Sequence, residues 1–178
     1  MTNTDSEIDN MPAGAELDML IETEIFGCIP LSDEEWDLCK AMMEHRDPHM
    51  SPPSGTRLVL EPLPEPTYLM KLPFRLIWPR CFSRENFGSY SRTLVQKMRE
   101  DGWLYSLHDG ITSVGETYKL AQFVKQRQAT QEEIEDGNAY GGMTPIRGEG
   151  LANTDALATA IAALRAVREL KKSVENIR

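Results

Sequence analysis

Apolar residues recur three or four positions apart across residues 151–170. Leu157, Ala160, Ile161, Leu164, Val167 and Leu170 therefore line one face of a helix. Asn153, Thr154 and Asp155 bring side-chain oxygens to the orphan amides at its start. Alanines at 156, 158, 160, 162, 163 and 166 favour the helix and leave little bulk. A helix that thin lies close to whatever it packs on. The pattern predicts the central packing helix of a small domain, deepest at Leu157, Ile161 and Leu164, against a short sheet near residues 103–124.

The same spacing predicts a helix over about 13–26, with Leu17, Leu20, Ile21 and Ile25 inward and Glu16, Asp18, Glu22 and Glu24 mostly outward. Gly27 is placed to end it. Ser32 and Glu35 form a capping box for a second helix, with Leu31 and Trp36 at the staple positions and Trp36, Cys39 and Met43 on its apolar face. Pro48 stops it. Six prolines punctuate 48–66, leaving room for a short edge strand at 57–60, and the hydrophobic run 68–78, broken by Pro73, reads as an irregular arm. A helix from Ser83 to Arg99 is predicted by Phe87, Tyr90, Leu94 and Met98. A strand at 103–107, a turn at His108-Asp109-Gly110 and a second strand over 111–124 make a hairpin. Thr130 and Glu133 cap a short helical turn, and Gly141, Gly142, Gly148 and Gly150 mark a flexible loop. The expected organisation is a disordered tail at 1–10 and one α+β domain over 11–178. That domain carries a proline-rich arm at 48–80, a glycine-rich loop at 137–150 and a small antiparallel sheet of two or three strands covered by helices.

Three stretches carry a family resemblance. The first is Pro12-Ala13-Gly14-Ala15-Glu16-Leu17-Asp18 running on to Ile25-Phe26-Gly27. The second is Phe82-Ser83-Arg84 with Met98-Arg99-Glu100-Asp101-Gly102-Trp103. The third is Ala152-Asn153-Thr154-Asp155-Ala156-Leu157-Ala158, continuing through Leu164. Together they resemble the small phage proteins that carry the phage ABA sandwich domain, over roughly 12–27, 81–124 and 151–167. The resemblance implies a layered, α/β/α sandwich-like arrangement and a phage or prophage origin. It implies no catalytic residues.

Charge narrows the function classes. The chain of 178 residues has net charge −9, and residues 1–50 alone hold 13 acidic and 2 basic residues. That balance argues against direct nucleic-acid binding by phosphate neutralisation. It makes Glu22, Glu24, Asp33, Glu34 and Asp37 a candidate acidic face for a basic partner, the plainer alternative being the solvated side of two helices. No apolar run is long enough to span a membrane, and no leader pattern is present, so a cytoplasmic location is expected, that of the host cell given a phage origin. Cys28, Cys39 and Cys81 have no metal or redox spacing. No metal or cofactor is expected: His45 and His49 are four apart, but Pro48 breaks the helix that would align them.

The best candidate ligand site is the basic-aromatic arm. Arg75, Trp78, Arg80, Phe82 and Arg84 alternate stacking and phosphate-pairing side chains. Tyr90 and Arg92 follow closely, and Arg147 lies on the glycine loop. The plainer reading has the aromatics in the core and the arginines snorkelling outward. No catalytic constellation is evident. The leading expectation is a non-enzymatic phage accessory protein that inhibits a host defence factor, through protein binding or by sequestering a nucleotide signal. A homo-oligomer is expected because the arm and the alanine-rich helix both want partners. The alternatives are a small hydrolase or transferase built around His108 and Asp109, and a virion-assembly component.

Overall fold

Alanine and glycine decide how the core closes. The structure, a computed structural model, describes Ile8 and residues 11–46, 56–63, 74–85 and 88–175. Its elements in order are α1 (Ala15–Glu24), β1 (Ile29–Pro30), α2 (Asp33–Arg46), β2 (Val59–Pro62), β3 (Phe74–Ile77), α3 (Gly88–Glu100), β4 (Leu104–Ile111), β5 (Thr117–Gln128), α4 (Gln131–Glu135), β6 (Met143–Ala152) and α5 (Asp155–Glu175). The strands make two three-stranded antiparallel sheets, β1-β2-β3 and β4-β5-β6. Helices flank them in the sandwich-like α+β arrangement that was expected.

The long helix α5 is the packing element. Thr154 Oγ accepts from the Leu157 amide at 3.2 Å to cap it. Ala156, Ala158, Ala160, Ile161, Ala162, Ala163, Leu164 and Ala166 are all buried. Leu157 is only partly buried, so the deep positions are Ile161 and Leu164. The alanine face is filled within the chain and leaves no small-residue stripe for a second copy.

Its main neighbour corrects the expectation of a flexible loop at 137–150. Residues 143–152 are strand β6, paired along its length with β5. Along β6, Ile146, Gly148 and Gly150 are buried, and Pro145, Arg147, Glu149 and Leu151 are exposed. A Cβ on Gly148 would sit 2.2 Å from the Ala166 nitrogen, and one on Gly150 would sit 2.1 Å from the Ala158 oxygen. The strand alternates as strands do, but its inward residues are glycines because the helix backbone is so close. That substitution hides the alternation from a reading of hydrophobicity.

The hairpin is also longer than predicted. β4 runs through Ile111, pairing His108 with Leu120, Asp109 with Lys119 and Gly110 with Tyr118. The Tyr118 ring occupies the space a Cβ on Gly110 would need, 2.2 Å from Cζ. The turn lies instead at Thr112–Glu116, closed by the Thr112 amide donating to the Glu116 carbonyl at 2.8 Å, with Gly115 at φ +87°. The strand expected at the edge, β2, is the middle of the small sheet, flanked by β1 and β3, with Pro62 at its end.

The capping boxes at Ser32/Glu35 and Thr130/Glu133 form as predicted. In the second, Arg127 and the Thr130 amide hold the Glu133 carboxyl down at about 2. Ser83 does not cap α3, which starts at Gly88. Its hydroxyl accepts from the Gly14 amide at 3.0 Å, and its own amide donates to Asp18 at 2.9 Å. Ile8, in the expected tail, is helical and fully buried, and the remainder of that tail lies outside the described residues. So do Phe87 and the arm residues 48–55 and 64–73.

Candidate functional site

The basic-aromatic arm divides between core and surface: Phe82 is buried and Arg80 partly so, while Arg75, Trp78 and Arg84 are exposed. Glu22 of α1 is fully buried. Its Oε1 accepts from the Arg80 amide and Nε, both at 2.8 Å, and its Oε2 accepts from Arg80 Nη2 at 2.6 Å. The guanidinium lies 4.0 Å from the Phe26 ring centroid and 5.5 Å from that of Phe82, and also pairs with Glu61 at 3.2 Å. Phe82 is fully buried, stacked on Phe26 and edge-on to Tyr90. Arg75 pairs with Glu61, and Trp78 meets the edge of Trp36. Arg84 is exposed. Arg147 projects from β6 opposite Val124, on the exposed set of that strand. The phosphate-binding reading of Arg80 is thus replaced by a structural one.

Of the acidic face, Glu22 and Glu24 are taken by cations within the chain, while Asp33, Glu34 and Asp37 stay exposed. Glu22 belongs to Arg80. Burial acts to raise the Glu24 carboxyl, yet Arg168 at 2.5 Å and Lys171 at 3.3 Å hold it below the ordinary carboxylate range. Asp33 pairs with Arg57. Glu34 and Asp37 are exposed on α2. Asp18, expected outward, is buried. Burial raises its carboxyl above the usual range in spite of Ser83 and Arg84 nearby.

Geometry sets aside an acid–base pair at His108 and Asp109. His108 and Asp109 are consecutive residues of a strand, so their side chains point to opposite faces of the sheet and do not form an acid–base pair. Asp109 instead pairs with Lys119 at 2.5 Å. Cys28 donates to Glu22 Oε2 at 3.3 Å, and burial together with that carboxylate pushes its thiol up to about 12, so it stays protonated. Among the described residues no group of three or more His, Cys, Asp or Glu side chains is placed to hold a metal ion, and no helix is long and apolar enough to cross a membrane.

A cleft of about 690 Å³ opens between α3, β4 and the first turns of α5. One side of the helix supplies Ser91, Arg92, Val95, Gln96 and Arg99, as two adjoining rows, Ser91-Val95-Arg99 and Arg92-Gln96, each spaced four apart. β4 supplies Tyr105 and Leu107, and α5 supplies Asp155, Ala156 and Thr159, with Glu85 on the rim. Thr159 gives its single hydroxyl proton to the Asp155 carbonyl at 2.7 Å, so the 2.9 Å contact with Tyr105 has the tyrosine donating. The phenol oxygen keeps its acceptor capacity. Lys119 bridges Asp155, at 3.2 Å, and Asp109, which offsets the acid at the helix start. Of the candidate ligand residues singled out from sequence, Arg92 alone lines this cleft. Arg99 was hidden as a helix-ending cation, and Tyr105 as a strand aromatic. The detectable signal was the Arg92/Arg99 spacing of seven, two helical turns.

No family model matches the chain, and none of the curated proteins or solved structures compared with it is similar to it. The resemblance to the phage ABA sandwich proteins rests on its three stretches of sequence alone.

Proposed function

We propose that the protein is a binding protein that sequesters an anionic ligand of the nucleotide class in the cleft between α3, β4 and α5. The observation that carries this is the placing of Arg92 and Arg99 on one helix face above an apolar floor of Val95, Leu107 and Ala156. The two guanidinium groups leave the helix two turns apart, about 10 Å along its axis. Their planar forks pair with phosphate oxygens, and the Tyr105 ring beside them offers a surface for a base. Ser91 and Gln96 line the same cleft, with Ser91 Oγ donating to the Phe82 carbonyl and Gln96 Nε2 to Glu100. In the phage setting that the sequence resemblance implies, such a protein works in the host cytoplasm by withdrawing a nucleotide signal from a defence factor.

The test is a thermal-shift panel of mono-, di- and cyclic nucleotides and nucleotide sugars, with mass spectrometry of small molecules released by heating the purified protein. The expected result is stabilisation by one member of the panel, lost in an Arg92→Ala/Arg99→Ala variant, with the nucleotide recovered chemically unchanged. Absence of any shift and of any released nucleotide would contradict sequestration, and recovery of a hydrolysed product would replace it with catalysis.

A further inference from the structure

Helix α2 carries two apolar faces. Trp36, Cys39 and Met43, spaced three and four, form the half-buried one, and Trp36 there meets Trp78 edge-on at 6.1 Å between ring centroids. The other face is open. Leu38 is 64 % exposed and Met42 65 %, one turn apart and adjacent on the surface. Ala41 lies beside them and is exposed as well. Nothing in α2 is fully buried.

Charge along this open face is polarised. Glu34 and Glu35 lie at its N-terminal end, and His45 and Arg46 at its C-terminal end. A second helix of the same sequence, laid antiparallel across it, puts Leu38 of one copy on Met42 of the other. It also puts Glu34 of each copy beside Arg46 of the other. A two-fold axis makes the face complementary to itself, as an isologous contact requires, and the small Ala41 next to the axis lets the helices come close. Glu35 is drawn toward its own helix start, where it accepts from the Ser32 amide at 2.8 Å, so the pairing falls to Glu34 and Arg46. We propose that the protein self-associates into a dimer through an antiparallel α2–α2 contact, with Leu38 and Met42 at its centre and reciprocal Glu34–Arg46 pairs at its ends. A contact confined to one helix of 14 residues is about 21 Å long. It is below the usual area of a permanent interface, so the dimer dissociates on dilution.

Sedimentation equilibrium of the full chain over a wide concentration range tests this. Wild type should move from the monomer mass to twice that mass as concentration rises. Leu38→Glu should remain monomeric with an unchanged far-ultraviolet circular dichroism spectrum. Glu34→Arg and Arg46→Glu should each self-associate more weakly than wild type. Mixed in equal amounts, they should form a heterodimer, because the antiparallel contact then matches arginine with glutamate at both ends. A wild-type chain that stays monomeric throughout overturns the proposal. So does a dimer indifferent to both Leu38→Glu and Met42→Glu, or a mixture of the two charge reversals that associates no better than either alone.

Discussion

Glu22 lies on the side of α1 that its charge would turn toward water, yet none of it is exposed. Its carboxylate is taken by the guanidinium, the amide of Arg80 and the Cys28 thiol, and the pairing spans 58 residues of sequence. Removing one member of such a pair leaves a buried charge without its partner. Arg80→Met should therefore cost about 3–5 kcal/mol in urea unfolding, with the residues of the cleft untouched. An unchanged midpoint would show that Arg80 is not structural. The alternation of arginines and aromatics over 75–84 is plain in the sequence. What it means depends on Glu22, Glu61 and Phe26, and no local pattern reports them. The same holds for Asp18, whose charge suggests a solvent position while its neighbour Ser83, far along the chain, takes it inside.

Elements with a strong period were legible, and those whose packing partner removes the period were not. Helix α5 follows from its apolar spacing and its threonine cap, and both capping boxes were visible as residue pairs three apart. β6 was not visible, because close approach to α5 demands glycine at 148 and 150, where a strand would otherwise show apolar side chains. The backbone atoms of α5 that a methyl group would meet cannot rotate away. Gly150→Ala should therefore lower stability by about 1–3 kcal/mol or more through overpacking. Leu164→Ala, fully buried on the same helix, should cost about 2–5 kcal/mol by leaving a cavity. Both are measured by denaturant titration. If Gly150→Ala unfolds at the wild-type midpoint, α5 and β6 are not in backbone contact. The hairpin turn was misplaced for a related reason. Asp-Gly at 109–110 has turn composition, but Gly110 makes room for the Tyr118 ring and the chain turns five residues later, at Gly115.

Across the whole molecule part of the uneven charge is paired within the chain. Residues 1–50 carry 13 of the 28 acidic side chains, and Arg57, Arg80, Arg168 and Lys171 from later segments pair with Asp33, Glu22 and Glu24. Acidity counted along the sequence therefore overstates the charge that the fold leaves unpaired at Glu22 and Glu24. The cleft was partly legible: Arg92 stood out, whereas Arg99, Tyr105 and the α5 residues join it only through the packing of three elements separated in sequence. The proposed anion site lies where these elements meet, on the Arg92/Arg99 face. The most direct measurement is calorimetric titration of the nucleotide recovered from the purified protein into wild type and into Arg99→Ala, each at low and high salt. Binding to wild type that weakens with salt and falls at least about tenfold in the variant, the loss of roughly one charge-assisted contact worth about 1.4 kcal/mol or more, is the predicted result. Equal affinity in the two proteins, or no binding to either, would contradict it.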